Sequence, residues 1–282
     1  MSIKLIQDRL NSYDCKSEIE EEHAIREITQ EVALAALGRT DFFKHAAFQG
    51  GTCLRIFYGL NRFSEDMDFV LKEPNPSFEL KQHLHTLTDE LKSYGYNFEV
   101  TDRSKMDAAV CKAFLKDDSI VKVLQLNYGS QTGPVCKIRI KFEVDTNPPS
   151  GSEYEIKYHD FPFISSVVVQ DKSSLFAGKV HALLCREYIK GRDWYDFLWY
   201  TGQETGINYQ LLTSAINQTG SWQGQGIQIN LDWCLNKLDA AIRAMDWKAT
   251  ALDVRRFVRV IEQPSLDLWS NDLFLAQLEK LK

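Results

Sequence analysis

The sequence predicts an α+β chain: a mixed sheet flanked by helices, followed by a helical domain. Three observations carry this. Apolar and charged residues alternate with period two at 66–71 and 135–145, apolar residues at helical spacing surround those runs, and from Ser173 onward the chain reads as helix after helix. The 282 residues, 44% of them hydrophobic, are enough for one large or two coupled domains. The boundary falls so that residues 1–171 form the mixed core with its N-terminal helices and 172–282 form a helical domain closing a cleft.

Each element has a local reason. Ser17 and Glu20 fit a capping box ahead of a stripe of Ile25, Ile28, Val32, Leu34 and Ala35, and Glu18, Glu20, Glu21 and Glu22 favour the positive end of that helix. Gly50 to Leu71 reads as loop, short helix (Leu54, Phe57 and Tyr58 on one face), turn, then a strand from Asp66 to Leu71. The Pro-Asn-Pro-Ser break at 74–77 precedes a helix marked by Leu80, Leu84, Leu87 and Leu91, which ends in a turn at Gly95. Phe98 and Val100 open a strand region. Runs at 120–128 and 135–145 flank the glycine-bearing loop 129–133 and predict an antiparallel hairpin. In the second run Cys136, Ile138, Ile140, Phe142 and Val144 alternate with Lys137, Arg139, Lys141, Glu143 and Asp145, so one face is core and the other carries charge of both signs. A turn at 148–151 and a Val167–Val169 strand lead into helices broken near Gly191, 202–206, 220–226 and Pro264.

Composition narrows the function classes. Lys plus Arg number 33 against 39 Asp plus Glu, a formal charge of −6, which excludes a generic nucleic-acid coat and confines any polyanion contact to a local patch. The six cysteines are scattered without a CxxC pair or zinc-type spacing, as expected of reduced thiols in a cytoplasmic protein. The first ten residues lack a signal-peptide pattern and no run approaches eighteen apolar residues, so no membrane partner is expected.

Chemistry concentrates around one constellation. Asp66 and Asp68 project from the same strand face about 6–7 Å apart, close enough to share a divalent cation. Ahead of them, Gly50-Gly51-Thr52 open a short helix: glycines let a phosphate approach bare N–H groups, the helix start adds positive potential, and the Thr52 hydroxyl can donate to phosphate.

Gly50-Gly51-Thr52-Cys53-Leu54-Arg55 followed by Arg62-Phe63-Ser64-Glu65-Asp66-Met67-Asp68-Phe69 resembles the first motif of the AbiEii/AbiGii-type nucleotidyltransferase toxins, a branch of the DNA-polymerase-β-like nucleotidyltransferases. The likeness continues in family order through Lys141–Asp145, Ser174–Lys179 and Gly191–Asp196, covering about residues 48 to 200. It implies a nucleotidyltransferase-fold sheet, a nucleoside triphosphate held by Gly51 and Thr52, and magnesium, with manganese as substitute, held by Asp66 and Asp68. It also implies transfer of a nucleotidyl group to an acceptor with release of pyrophosphate. Toxins of this family act on nucleic acid, foremost transfer RNA, and are paired with a cognate antitoxin in type IV, abortive-infection-like systems.

Further residues fit this chemistry. Glu143 or Asp145, with Asp145 preferred, supplies the third carboxylate that a two-metal transfer uses; the alternative is cross-strand pairing with Lys137, Arg139 or Lys141. Lys179 sits in the apolar stripe of its helix, either snorkelling or aimed at the triphosphate, and Gly178 beside it would let backbone come close. Asp193 and Asp196 lie one helical turn apart: Asp193 either binds nucleotide or caps the helix Trp194–Tyr200, and Asp196 is expected to touch Lys179 or the nucleotide. Arg55 is placed with the nucleotide-binding set, whereas Arg62 either steadies phosphate or serves as scaffold.

Two basic stretches are candidate RNA contacts. Between Arg103 and Lys141 stand eight basic residues (Arg103, Lys105, Lys112, Lys116, Lys122, Lys137, Arg139, Lys141) against Asp107, Asp117 and Asp118. The other stretch comprises Lys248, Arg255, Arg256 and Arg259.

Three alternatives are set against this reading. Asp66–Val70 also fits a haloacid-dehalogenase-type DxDxV start, but Arg62-Phe63-Ser64-Glu65 replaces the apolar run that fold needs. A nucleotidyltransferase acting on a protein or small molecule is equally compatible with the acidic charge. A catalytically idle nucleotide-binding module would not need the glycines, carboxylates and Lys179 intact.

Overall fold

The computed structural model describes residues 2–102, 109–117, 119–128 and 137–282. The chain divides into two compact units: Met1–Gly59, Phe63–Pro148 and Glu155–Val169 form the first, and Leu60–Arg62, Pro149–Tyr154 and Gln170–Lys282 the second.

Up to Gln170 the order is α1 (Ser2–Asn11), α2 (Glu18–Gly38), α3 (Phe42–His45), β1 (Ala46–Gln49), α4 (Gly50–Tyr58), β2 (Asp66–Leu71), α5 (Leu80–Lys92), β3 (Glu99–Asp102), β4 (Val110–Asp117), α6 (Ser119–Val123), β5 (Ile138–Asp145), β6 (Tyr154–His159) and β7 (Ser165–Gln170). The strands form one mixed sheet in the order β3-β4-β5-β2-β1-β7-β6. β1 runs antiparallel to β2, β2 parallel to β5, and β5 antiparallel to β4.

α2 begins as its sequence dictates: Ser17 is extended and its side chain accepts the Glu20 N–H. The reciprocal bond of the capping box is shifted by one residue, because the Glu20 carboxylate accepts Lys16 N rather than Ser17 N. Glu21 is buried, and its two oxygens accept the N–H groups of Asn127 and Tyr128. Further along, Gln30 Nε2 donates to the carbonyls of Ser64 and Glu65 and so holds the chain leading into β2.

The period-two pattern of β5 is realised: Ile138, Ile140, Phe142 and Val144 are buried while Arg139 is exposed. Below that sheet face Phe69 stacks on Phe142 at 5.9 Å and meets Phe48 and Phe42 at 5.1 and 5.0 Å. This aromatic layer fixes β2 against β5, leaving the alternate residues of both strands for the opposite face.

One expectation fails in the middle of the chain. The start of the 120–128 run is not strand: Ser119–Val123 is a short helix, because the Asp117 carboxylate accepts the N–H groups of Ser119 and Ile120 and turns the chain. The antiparallel partner of β5 is instead β4, paired from Val110↔Asp145 to Asp117↔Ile138. The loop 129–133, Cys136, Arg103, Lys105, Asp107 and Asp118 lie outside the described residues.

From Lys172 the chain is helical: α7 (Lys172–Cys185), α8 (Gly191–Gly202), α9 (Tyr209–Gln218), α10 (Leu231–Arg243), α11 (Trp247–Arg255), a 3₁₀ segment Val260–Leu268, α12 (Asn271–Leu278) and a closing 3₁₀ turn Glu279–Leu281. Side-chain caps start most of these helices: Asp171, Asn208, Asn230, Asp246 and Ser270 each accept an N–H from the first turn. Trp247 stacks on Phe274 at 3.8 Å, with Trp194 and Trp269 edge-on to both, and forms an aromatic core for this unit. Among the described residues no helix is long and apolar enough to cross a membrane, and Cys15, Cys53, Cys111, Cys185 and Cys234 are free thiols.

Candidate functional site

The helix start at Gly50 and the strand start at Asp66 are built against each other. Gly50 has φ +78°, and a Cβ placed on it would lie 2.7 Å from Asp68 Oδ2, so both backbone conformation and space demand glycine. Gln49, paired with Asp68 in the β1–β2 ladder, carries no side-chain cap for α4. Thr52 is turned inward: it is 1% exposed and its hydroxyl donates to the Asp66 carbonyl at 2.5 Å. The hydroxyl proton is thus directed at the strand. Arg55 Nε donates to Glu27 Oε2 at 2.8 Å, and its guanidinium covers Phe63 at 4.6 Å. These contacts tie it to α2.

Asp66 and Asp68 are half-buried on one face of β2. The parallel register with β5 pairs Asp66 with Lys141, Asp68 with Glu143 and Val70 with Asp145. Glu143, not Asp145, thus stands beside the aspartates. Asp145 lies one pleat pair further along, its Oδ1 accepts Asn147 N at 2.9 Å, and burial raises its carboxyl above the usual range. Glu143 is clamped between Lys141 at 2.6 Å and Lys112 at 3.0 Å. Burial opposes its ionisation, but those two ammonium groups outweigh burial and keep its carboxyl below the ordinary value. Among the described residues no three His, Cys, Asp or Glu side chains converge closely enough to hold a metal ion.

A second cluster lies in the helical unit. Lys179 Nζ contacts Asp193 Oδ1 at 2.7 Å and Asp196 Oδ2 at 2.8 Å, so neither snorkelling nor a cap describes this set. Asp193 also binds Arg186 at 2.8 Å. The residue at the cap position of α8 is Lys190, and Asp193 sits in the first turn. Asp196, 0% exposed, receives two bonds from Arg62 at 2.6 Å each. Burial would lower the Lys179 ammonium's affinity for its proton, but the two aspartates override it and hold the group charged. Gly191 answers to packing: a Cβ there would fall 2.1 Å from Thr250 O, and its N–H donates to Asp253. Gly178 is exposed, and nothing among the described residues lies within 4 Å of where its Cβ would be.

Of the basic stretches, Lys112 and Lys141 are engaged by Glu143, Arg255 pairs with Asp267 at 3.1 Å, and Arg256 covers Phe257. The buried Arg62–Asp196 pairing, whose members stand 134 positions apart, has no signal in local sequence pattern.

The sequence matches, over residues 32–275, the family described as nucleotidyl transferase AbiEii toxin, type IV toxin–antitoxin system. The chain belongs to the AbiEii family. It is accordingly a nucleotidyltransferase toxin of the type IV class, and the matched span contains every residue of both clusters. Among solved structures, MenT4, a nucleotidyltransferase toxin of Mycobacterium tuberculosis H37Rv, aligns with 14% identity over 100% of this chain and 99% of its own, with a TM-score of 0.52. A provisionally assigned nucleotidyltransferase from H. pylori aligns with 17% identity over 91% of this chain and 96% of its own, with a TM-score of 0.51. These likenesses show that the AbiEii-family chain has the nucleotidyltransferase-like mixed α/β fold. No match was found among curated proteins.

Proposed function

We propose that this AbiEii-family enzyme moves a nucleotidyl group from a nucleoside triphosphate to a hydroxyl of RNA, foremost transfer RNA, in a magnesium-dependent reaction restrained by a cognate antitoxin. The observation that carries the metal assignment is the contact of Gly50 with Asp68: the opening turn of α4 and the aspartate pair share one small volume. The aspartate pair suits a hard divalent ion that takes the rest of its ligands from substrate and water, since Asp66 and Asp68 offer carboxylate oxygens from one strand face, and Glu143 is next in register.

The roles follow from the positions. Asp66 and Asp68 are the proposed magnesium ligands, and Glu143 takes precedence over Asp145 as third carboxylate because it flanks Asp68. The N–H groups at Gly50 and Gly51 face no side-chain cap and are suited to phosphate oxygens. Lys179, kept charged by Asp193 and Asp196, is assigned to phosphate binding. When bound, the divalent ion supplies charge neutralisation at the α-phosphate; the protein's share is positioning the acceptor hydroxyl in line with the departing pyrophosphate.

The test is incubation of the purified chain with each labelled nucleoside triphosphate, magnesium and total RNA. Label in RNA that is lost in Asp66→Asn supports the proposal. Label found in protein or small molecules alone overturns the RNA acceptor, and full activity in Asp66→Asn overturns the metal assignment.

A further inference from the structure

The acidic face of β2 and β5 already contains a cation, and it belongs to the protein. Lys141 pairs in register with Asp66, and its ammonium lies 2.6 Å from Glu143. The charges of Asp66 and Asp68 also reach it. Carboxylates on adjacent strands about 5 Å apart repel one another, and an ammonium held on Glu143, in register beside Asp66, offsets that repulsion. Lys112, approaching Glu143 from β4 at 3.0 Å, adds a second positive charge and leaves the face with one net negative charge. The side chain of Lys141 is 28% exposed, so it has water to withdraw into.

We propose that Lys141 stands in for a divalent cation at the Asp66–Asp68–Glu143 face, so that metal loading requires Lys141 to withdraw from Glu143. This inference rests on the assignment of the metal to Asp66 and Asp68. Its consequence is coupling: free metal alone has to compete with a tethered ammonium, whereas a metal–triphosphate brings oxygens that the released ammonium can meet. The face is thereby biased against idle metal and toward the substrate complex, a difference of affinities obtained by a built-in competitor.

The experiment is direct titration of Mn2+ into the full chain without nucleotide, by calorimetry or by the paramagnetic signal of free Mn2+. Lys141→Met is expected to bind Mn2+ about tenfold more tightly than the parent, and Lys141→Arg, which retains the charge, to bind like the parent. Lys141→Gln gives the same reading if the methionine variant folds poorly. Lys92→Met, which removes an exposed charge on α5, is expected to leave the affinity unchanged. Equal or weaker binding in Lys141→Met and Lys141→Gln overturns the inference while leaving the metal assignment intact. Absence of binding in every variant, with and without a nucleoside triphosphate, overturns both.

Discussion

Arg62 and Asp196 are joined by two parallel hydrogen bonds, Nε to Oδ1 and Nη2 to Oδ2, each 2.6 Å long, with the two side chains 3% and 0% exposed. The fork geometry orients Asp196 while its second oxygen also meets Lys179, so the lysine that we assign to phosphate is held through an arginine distant in sequence. Removing Arg62 strips a counter-charge from a buried carboxylate. Arg62→Met is expected to lower the free energy of unfolding by about 3–5 kcal/mol, and Arg62→Lys to recover only part of it because an ammonium cannot make the two-point contact. Urea denaturation measures both; a methionine variant as stable as the parent would show the pair to be dispensable.

Gly50→Ala is expected to impair transfer far more than folding. A left-handed alanine costs about 1 kcal/mol, which a protein of this size tolerates. The added methyl, however, falls 2.7 Å from Asp68 Oδ2 and displaces the carboxylate. Transfer assays and circular dichroism on the same preparation separate the two effects. Parent-like transfer would contradict the close contact.

At Thr52 the expectation is the reverse. Thr52→Val keeps the shape but removes the bond from the buried Thr52 to the Asp66 carbonyl, a loss of about 1–3 kcal/mol, whereas Thr52→Ser retains it. A valine variant with unchanged thermal stability would remove the hydroxyl from the structural account.

Two buried groups impose opposing pH dependences on stability. Burial pushes the Glu31 carboxyl from 4.5 up to about 6 despite its bonds to Arg9. Between those values the unfolded chain releases a proton that the folded one keeps, so stability falls by about 2 kcal/mol as pH rises. Burial lowers His159 from 6.5 to about 4, so stability falls as pH drops through that interval. Glu31→Gln is expected to unmask the histidine: its stability should rise with pH from 4.5 to 6 more steeply than the parent's. Identical slopes in urea titrations across this window would show that Glu31 does not titrate as described.

Much of the fold was legible because its signals are local. Ser17, the leucine spacing of α5 and the alternation in β5 each act within a few residues, and each element formed as its pattern indicates. β1 carries no such signal: Ala46-Ala47-Phe48-Gln49 is too short to show a period and is a strand because its neighbours β2 and β7 pair with it. In the sequence Asp117 is one charge in a mixed stretch, whereas in the structure its carboxylate starts α6 and displaces the predicted strand. Spacing places Asp66 and Asp68 on one strand face, and the structure has them there; it also puts Asp196 within reach of Lys179, a contact the structure shows at 2.8 Å. Spacing does not say whether Glu143 or Asp145 flanks Asp68, since both share a face and only the register with β2 places them.

That register also links chemistry to folding. Sliding β5 by one residue against β2 would bring Phe142 or Val144 beside Asp68 and turn Glu143 and Lys141 into the aromatic layer, where charge is costly. A misaligned chain would therefore lose its stacked phenylalanines together with its acidic face. The molecule thus has a form of proofreading: the hydrophobic contacts that report correct strand alignment are the ones that vouch for the active constellation, and an insertion inside 138–143 should cost both, while one beyond 145 should cost neither.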